Sequence, residues 1–467
     1  MTYHFLFLCM NIFMMTGGLT FGWWSYDWSL NYDQVDETPA YEHWAYFVRC
    51  GYLILFPYLF LSIMYQWFKS PFHKEPEQPV IPFSSQVNEL DGSVSNRPKL
   101  FYRYVTRGLD PTLVLKNADI LFEILTHSAS LPFQIEIVSD NPIIVDDPER
   151  YRVLVVPDSV LLTDDRNDTT LYKARALHYA NSISTANELT DWIVHLDEET
   201  RLIDRTVYEI ERHCMQNPAN AIGQGCIVYY PLDGQFLSTC HVLNTLADSL
   251  RVSDDFGKFR FQFERQACWS GMKGSFIVIQ VWNEKRTGFN YGRPGSITED
   301  CFFAMKAFDA GASFRFIHGT MYEKSPFTFV DFLKQRRRWL TGLRLVYSDD
   351  RIRFGTRIWL RLLVYLWMIS SFSILLLISY WIEYRDKNVY IELLLGWTVS
   401  LYVLMYLNGF FITLANMPAV YRPSRWKIMA LLILQFILVP YYSLLEAMAV
   451  IFTVCRRETG FHVVQKK

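Results

Sequence analysis

The sequence lacks the short motifs of several common sites. Its eight cysteines are scattered and form no Cys-x-x-Cys pair, so we expect reduced thiols and no structural zinc site. No Gly-x-Gly-x-x-Gly and no Gly-x-x-x-x-Gly-Lys-Ser/Thr motif occurs, which argues against a dinucleotide fold and a P-loop. A formal net charge of −2 gives no reason to expect a nucleic-acid partner.

Charge is also sparse in long runs near both ends of the chain. Apolar runs lie at residues 4–24, 46–68 and about 358–383, 389–414 and 427–454. Each is long enough to cross a bilayer, which takes about 20 residues. The first run has no basic flank and no small-residue cleavage site, so we interpret it as a retained span rather than a signal peptide.

Basic residues are absent from segment 25–48, which carries five acidic side chains. Lysine and arginine instead follow the second run, precede the third and follow the fourth, so the positive-inside rule places these flanks in the cytosol. Three full spans after the middle of the chain would leave the basic tail at 456–467 outside. Because Pro440 divides the last run into halves that are too short to span, we favour a broken or re-entrant segment that returns the tail to the cytosol.

The middle of the chain alternates strands and helices. Strands are predicted at 101–106, 133–139, 152–157, 192–196 and 226–230, and helices at 112–129, 171–189 and 201–214. This alternation indicates an α/β fold with a largely parallel sheet, which binds ligands at the carboxyl ends of its strands. We therefore divide the chain into two N-terminal transmembrane helices (1–70), a linker (71–98), a cytosolic α/β domain (99–325), interfacial helices (326–357), C-terminal transmembrane helices (358–455) and a cytosolic tail (456–467).

Polar residues follow several strands at the predicted ligand-binding edge. Arg107 follows the first strand, Asp140 the second, and Asp197-Glu198-Glu199 the fourth. Asp197 and Glu199 are two residues apart. In an extended segment they would point to the same side and hold one Mg²⁺ or Mn²⁺ together with a diphosphate. The alternative is a solvated acidic turn that leads into the next helix.

Two further stretches allow both a structural and a functional interpretation. Asp300, in GSITEDCFF at 295–303, opens an apolar helical run and is either a helix cap or a catalytic carboxylate. The three arginines of KQRRRWLTG at 334–342 suit a patch for lipid headgroups, and Trp339 suits the membrane interface.

In combination, these motifs resemble those of family 2 glycosyltransferases. That family's ordered signature is a strand-end D-x-D/E, then T-E-D, then Q-x-x-R-W before membrane spans, and the three stand here at 197–199, 298–300 and 335–339. VTRG at 105–108 and KARAL at 173–177 extend the resemblance, over most of the chain, to the β-1,4-mannosyltransferases of glycosphingolipid synthesis. The sequence departs from the commonest pattern by having a glutamate where many relatives have a second aspartate.

The resemblance implies a GT-A, Rossmann-like nucleotide-sugar domain embedded between transmembrane helices. It also implies an inverting transfer of mannose from GDP-mannose to glucosylceramide, by a multi-pass protein of the Golgi or endoplasmic reticulum membrane. The alternatives are a processive polysaccharide synthase, another lipid-linked glycosyltransferase that uses a UDP-sugar, and a nucleotide-sugar-binding membrane scaffold without turnover. The predicted partners are the acceptor lipid and the membrane, and no oligomeric state follows from the sequence.

The resemblance assigns roles to single residues as well. Asp300 is the expected general base, because the acceptor hydroxyl must lose one proton. Asp197 and Glu199 are the expected ligands of Mg²⁺ or Mn²⁺. Gln335, Arg338 and Trp339 are expected at the reaction centre, where Arg337 would help Arg338 to balance the charge of the departing diphosphate. The residues expected to contact the nucleotide are Arg107, Asp140, Lys173 and Asp197.

Overall fold

The computed structural model describes residues 2–25, 40–71, 97–232, 236–380, 382 and 388–455. Most of the predicted linker at 71–98, much of the acidic segment at 25–48 and all of the predicted tail at 456–467 therefore lie outside the described residues.

A mainly parallel sheet forms the centre of the described α/β domain. Its strands, with those of a separate small hairpin (β4 and β5), are β1 (Leu100–Thr106), β2 (Phe133–Ser139), β3 (Tyr151–Val155), β4 (Leu162–Thr163), β5 (Thr169–Thr170), β6 (Trp192–Asp197), β7 (Ala221–Val228), β8 (Ile277–Gln280) and β9 (Ser313–Tyr322). The order across the described sheet is β3-β2-β1-β6-β8-β7-β9. Within it, β8 runs antiparallel to both neighbours and the other adjacent strands pair in parallel.

Helices occupy both ends of the chain and both faces of the sheet. In chain order they are α1 (Thr2–Ser25), α2 (Ala40–Tyr52), α3 (Phe56–Phe68), α4 (Pro111–Ser128), α5 (Tyr172–Ser182), α6 (Asp204–Gln216), α7 (Thr239–Ala247), α8 (Ser249–Asp254), α9 (Arg260–Glu264), α10 (Val281–Thr287), α11 (Glu299–Asp309), α12 (Phe329–Ser348), α13 (Phe354–Ser371), α14 (Ser373–Ser379), α15 (Val389–Asn416) and α16 (Arg425–Cys455).

The two faces of the sheet are buried against different helices because side chains alternate along each strand. On β1, Tyr102 and Tyr104 join a core cluster that also contains Leu121 of α4, whereas Phe101 joins a second cluster with Leu177 of α5. The predicted α/β class, with a Rossmann-like sheet between apolar helices, is confirmed. The predicted strands at 101–106, 133–139, 152–157 and 192–196 correspond to β1, β2, β3 and β6.

Several helices are apolar and long enough to cross a membrane. Among the described residues these are α1, the α2–α3 pair, α15 and α16, with α13 and α14 as a further pair bent by 44°. The predicted break of the last run at Pro440 is wrong, since α16 continues through this residue as one helix. The predicted return of the tail to the cytosol stays a prediction. Proline is tolerated inside membrane helices when neighbouring groups satisfy the backbone it frees. The bend lies instead at Phe372, between α13 and α14.

Small residues bring α1 and α15 together. A Cβ atom added to Gly18 would collide with the Ser400 hydroxyl, and one added to Gly396 would lie 2.7 Å from the Gly22 nitrogen. The backbones therefore approach as closely as they do at other small-residue contacts between membrane helices.

The candidate membrane helix α15 has one end against the α/β domain and one end away from it. At the far end, Arg49 of α2 pairs with Glu392 of α15 at 3.0 Å and donates a 2.7 Å hydrogen bond to the carbonyl of Ser379 in α14. At the near end, the carbonyl of Asn416 in α15 accepts a 2.6 Å hydrogen bond from the hydroxyl of Tyr322 in β9. Along the chain, α15 thus runs towards the domain.

Candidate active site

A cavity of about 830 Å³ opens at the carboxyl ends of β1, β6 and β7. All nine residues to which the sequence assigns a principal role line it: Arg107, Asp140, Lys173, Asp197, Glu199, Asp300, Gln335, Arg338 and Trp339. Arg337, the predicted helper of Arg338, is not among the lining residues. The strand-end, T-E-D and Q-x-x-R-W motifs therefore meet in space, as the family resemblance implies.

Lys173 lies within an acidic cluster in this cavity. Its Nζ donates hydrogen bonds to Asp197 Oδ1 and, over 3.3 Å, to the carbonyl of Gly274, and it lies 3.6 Å from Glu299 Oε1. Burial alone would lower the pKa of Lys173, but the carboxylates of Asp197 and Glu299 raise it above its ordinary value. Lys173 therefore stays protonated and places a positive charge between β6 and α11.

Asp300 lies beside this cluster, in the first turn of α11. Its Oδ1 accepts a 2.8 Å hydrogen bond from the N–H of Cys301, while Thr298 occupies the N-cap position of the helix. Burial and the neighbouring Glu299 carboxylate raise the pKa of Asp300 to about 7. A carboxyl group with such a pKa exchanges a proton near neutral pH, which a helix cap alone does not require.

Gly274 allows the cluster to pack closely. A Cβ atom at this position would lie 3.2 Å from Lys173 Nζ and 3.3 Å from Asp300 Oδ2. The ammonium group and the outer carboxylate oxygen thus face the same short stretch of backbone.

The acidic triplet does not extend β6, as the prediction of a same-side pair assumed. The strand ends at Asp197, and the N–H of Thr200 donates a 2.9 Å hydrogen bond to the Asp197 carbonyl, so these four residues form a turn. Glu198 Oε2 accepts a 2.5 Å hydrogen bond from the hydroxyl of Thr106. Both predicted metal ligands, Asp197 and Glu199, still line the cavity.

The groups predicted to contact the nucleotide lie where β1 and β2 end. Asp140 Oδ1 accepts a 2.7 Å hydrogen bond from Arg175 Nη2. Arg107 is exposed, and its carbonyl accepts a 2.6 Å hydrogen bond from Asn141 Nδ2. This edge of the cavity therefore offers charged groups of both signs.

The Q-x-x-R-W motif lies within α12, where residues three and four apart share one face of the helix. Gln335, Arg338 and Trp339 have this spacing and line the cavity. Arg336 is buried and bonds two carboxylates, those of Asp248 and, at 2.6 Å, Glu446. Its Nη1 also donates a 2.9 Å hydrogen bond to Gln335 Oε1, which fixes the orientation of that amide.

Trp339 packs against two arginines at the cavity wall. The Arg251 guanidinium carbon lies 4.0 Å from the centroid of the Trp339 ring and 3.9 Å from that of Tyr229. The corresponding distance from Arg336 to Trp339 is 4.5 Å. Cation–π contacts of this kind hold the indole in place.

The cavity continues from the charged cluster to a second part, which is lined by apolar helices. We call this second part the apolar arm. Its walls come from α3, α13 and α15, through Leu59, Leu360, Val364, Trp367 and Met405. An ionised cluster and a hydrocarbon-lined space are therefore parts of one cavity.

Several lining residues were not predicted: Arg251, Lys273, Glu299, Glu323, Arg336 and Glu446. Glu446 carries a recognisable signal, because it is an isolated carboxylate within an apolar run. Glu299 and Arg336 lie inside motifs that the sequence analysis singled out for other residues. Arg251 and Lys273 lie outside any such motif, so only the fold identifies them.

Comparisons with known proteins agree with these motifs. A family model described as glycosyl transferase family group 2 matches residues 192–452. The β-1,4-mannosyltransferase egh of Drosophila melanogaster is 35% identical over 384 residues, which cover 81% of this chain and 80% of that protein. The β-1,4-mannosyltransferase bre-3 of Caenorhabditis elegans is 36% identical over 372 residues, 79% of each chain.

Solved structures show a weaker likeness. The mannosyltransferase PcManGT from Pyrobaculum calidifontis, in complex with GDP-Man and Mn²⁺, aligns over 89% of this chain and 98% of its own. Its sequence identity is 14% and its TM-score 0.45, which is too low to support a conclusion. The sequence matches do not depend on it. They show that the chain belongs to glycosyl transferase family group 2 and, within it, to the β-1,4-mannosyltransferases.

Proposed function

We propose that the protein transfers mannose from GDP-mannose to glucosylceramide, with inversion, to form mannosyl-β-1,4-glucosylceramide. The observation that carries this proposal is that the cavity containing Asp300 and Asp197 continues into the apolar arm. A water-soluble donor and a membrane-held acceptor can therefore reach one site. The names of the two relatives support mannose and the β-1,4 linkage, and the motif resemblance supports the donor nucleotide and the glycolipid acceptor.

Asp300 is the proposed general base. The acceptor's hydroxyl oxygen attacks the anomeric carbon of mannose and its proton passes to the Asp300 carboxylate. The bond between the anomeric carbon and the diphosphate oxygen breaks, and its electron pair leaves with GDP. A pKa of about 7 keeps much of the group ionised at neutral pH while it remains basic enough to accept the proton. A positioned base typically contributes about 10²–10⁴-fold to the rate.

The departing diphosphate gains negative charge, which cations of the cavity would offset. Arg338 is the proposed partner, because it lines the cavity on the same face of α12 as Gln335 and Trp339. Lys173, at the centre of the acidic cluster, is proposed to hold Asp197 in position beside the diphosphate. Gln335 and Trp339 would complete the wall around the reacting groups, and Arg107 and Asp140 would contact the nucleoside.

The acidic turn suits a hard divalent cation. Mg²⁺ and Mn²⁺ favour one or two carboxylates together with phosphate oxygens and waters. Asp197 and Glu199 supply such carboxylates, and no cluster of three metal-ligating side chains occurs among the described residues, so the donor's phosphates would complete the shell. Held there, the cation would neutralise charge on the diphosphate.

The apolar arm explains how a lipid acceptor reaches Asp300. Transfer of a ceramide chain into water is unfavourable, since each buried CH₂ group is worth about 0.8 kcal/mol. An arm lined by membrane helices lets the sugar enter the cavity while the chains stay in the bilayer. The basic flanks favour a cytosolic α/β domain, and the family resemblance supports a Golgi or endoplasmic reticulum membrane.

The test is a transfer assay with purified protein in detergent. Glucosylceramide is incubated with labelled GDP-mannose and, in parallel, with UDP-sugars. We expect one mannose per acceptor, from GDP-mannose, and its loss in Asp300→Asn. A polymer would identify a polysaccharide synthase, and transfer from a UDP-sugar another lipid-linked glycosyltransferase. Binding of a nucleotide sugar without any product would identify a scaffold.

A further inference from the structure

We propose that Glu446 of α16 binds a hydroxyl group of the acceptor headgroup and helps to select the acceptor. This inference rests on the proposed function, since it requires an acceptor that carries hydroxyl groups near the bilayer surface. It adds to the site a residue from the last apolar helix, about 250 positions beyond the acidic turn in the sequence.

The two oxygens of the Glu446 carboxylate have different surroundings. Oε1 accepts the 2.6 Å hydrogen bond from Arg336 Nε. Oε2 is buried and has no hydrogen-bond partner within the part of the chain that the structure describes. The residue is 8% exposed and is one of those that line the cavity.

A buried carboxylate oxygen without a hydrogen-bond donor is unfavourable, because it has lost its water and gained no partner in exchange. A ligand in the cavity removes this deficit only if it brings a donor, because an ionised carboxylate can only accept hydrogen bonds. The diphosphate of a sugar nucleotide is itself an anion and would be repelled. The chemistry of Oε2 therefore fits a sugar hydroxyl of the acceptor rather than the donor's phosphates.

The position of Glu446 fits the same partner. One turn further along α16, Val450 packs in a cluster with Leu360 and Val364 of α13, which line the apolar arm. On the other side, the Arg336 bond links Glu446 to Gln335 in the Q-x-x-R-W motif. Glu446 therefore lies between the hydrocarbon-lined arm and the reaction centre, where the headgroup of a lipid acceptor would enter.

An anchoring role for Arg336 does not account for these features. Arg336 also bonds the buried carboxylate of Asp248, and its contact with Glu446 uses Oε1 alone. Orientation of Arg336 therefore leaves the unpartnered Oε2 unexplained.

The test is the KM for glucosylceramide in Glu446→Gln, whose amide can keep the bond to Arg336 through its oxygen but presents N–H donors in place of Oε2. We expect this KM to rise at least about tenfold, as for loss of a hydrogen bond to a charged group, while the KM for GDP-mannose stays within about twofold. The matched control is Glu392→Gln, which also removes the charge from a buried glutamate paired with arginine in a membrane helix but lies outside the cavity lining. It should leave the ratio of the two KM values unchanged.

Monodeoxy analogues of glucosylceramide identify the hydroxyl. With the unmodified enzyme, one analogue should have a higher KM than glucosylceramide. With Glu446→Gln, that analogue and glucosylceramide should have equal KM values, because the two changes remove the same hydrogen bond. An unchanged acceptor KM, or additive losses for every analogue, would overturn the inference. Should Glu446→Gln not purify as a folded species, Glu446→Asp is put through the same comparison. Absence of transfer by the unmodified protein would instead count against the proposed function itself.

Discussion

The Lys173 ammonium donates a hydrogen bond to the Asp197 carboxylate and so joins the start of α5 to the end of β6. With Glu299 at 3.6 Å and Asp300 also nearby, one partly buried positive charge faces three carboxyl groups. The single ammonium group stabilises the carboxylates beside one another but does not neutralise all of them, so the cluster still attracts a further cation.

Loss of this lysine should abolish most of the activity. In Lys173→Met we expect kcat/KM to fall by about 10²-fold or more, since removal of one preorganised charge from an active site has effects of that size. Steady-state transfer assays measure the change. Lys285→Met serves as control, because Lys285 pairs with Glu188 at 2.8 Å on the surface and should matter little. Equal activities of the two variants would show that Lys173 has no role in the site.

The pH dependence of kcat/KM should report Asp300. Because its pKa is raised to about 7, the ionised base is depleted below that pH. We expect kcat/KM to rise about tenfold per unit well below pH 7 and to level off above it. A profile that is flat between pH 5 and 8 would contradict the assignment of Asp300 as base.

The same pKa shift predicts a stability gain in an inactive variant. The folded protein binds the Asp300 proton more tightly than the unfolded chain, so this group's contribution to stability is lost as pH rises from about 4 to about 7. Asp300→Asn removes the buried charge. Its melting temperature should therefore exceed that of the unmodified protein at pH 8, and the difference should shrink or reverse at pH 5. A difference in melting temperature that is the same at pH 5 and pH 8 would show that ionisation of Asp300 is not its cause.

Gly274 should tolerate no side chain. In Gly274→Ala, a methyl group at 3.2–3.3 Å from Lys173 Nζ and Asp300 Oδ2 forces both groups to shift. We expect kcat to fall at least about tenfold, since small displacements at a reaction centre have large effects. Gly355→Ala is the control, because the space around that helical glycine is open. Unchanged turnover in Gly274→Ala would mean that the cluster's present geometry is not the active one.

The end of α16 should lie on the same side of the membrane as the α/β domain. Lys427, near the start of α16, lies 5.8 Å from the centroid of the Phe236 ring. Glu446, in the second half of α16, bonds Arg336 of α12, so the helix contacts the domain side at two distant points. We therefore expect both ends of α16 to lie on the domain's side of the membrane, although its length and composition would permit a span.

Thiol labelling in sealed vesicles with the α/β domain outside tests this placement. In a Cys9→Ser background, the exposed Cys455 should react with a membrane-impermeant maleimide. The variant Tyr390→Cys, at the exposed far end of α15, should react after permeabilisation only, in a background that also lacks Cys455. Protection of Cys455 in intact vesicles would show that α16 crosses.

The sequence predicted the strands that carry the motifs because their apolar runs are bounded by polar residues. Together with the family match, the observed sheet confirms the predicted GT-A class. β8 escaped prediction since its four residues are buried between β6 and β7 and carry no alternating pattern. The continuity of α16 through Pro440 was missed because it depends on packing against α12 and α15, which local propensity does not encode.

Site residues were predictable where they belong to ordered motifs. Asp197, Asp300 and Trp339 were named from such motifs, and all three line the cavity. The triplet spacing did not reveal the turn at Asp197, which depends on the Thr200 backbone bond. Nor did it show that Arg336 is bound to Glu446, since that pair joins residues 110 positions apart.

The most direct test of the central claim compares GDP-mannose binding with turnover in Asp300→Asn. Calorimetry measures donor affinity, and product formation with labelled GDP-mannose and glucosylceramide measures kcat. If Asp300 accepts the acceptor's proton, the variant should bind GDP-mannose within about threefold of the unmodified protein and lose about 10²–10⁴-fold in kcat. Turnover close to that of the unmodified protein would contradict the account.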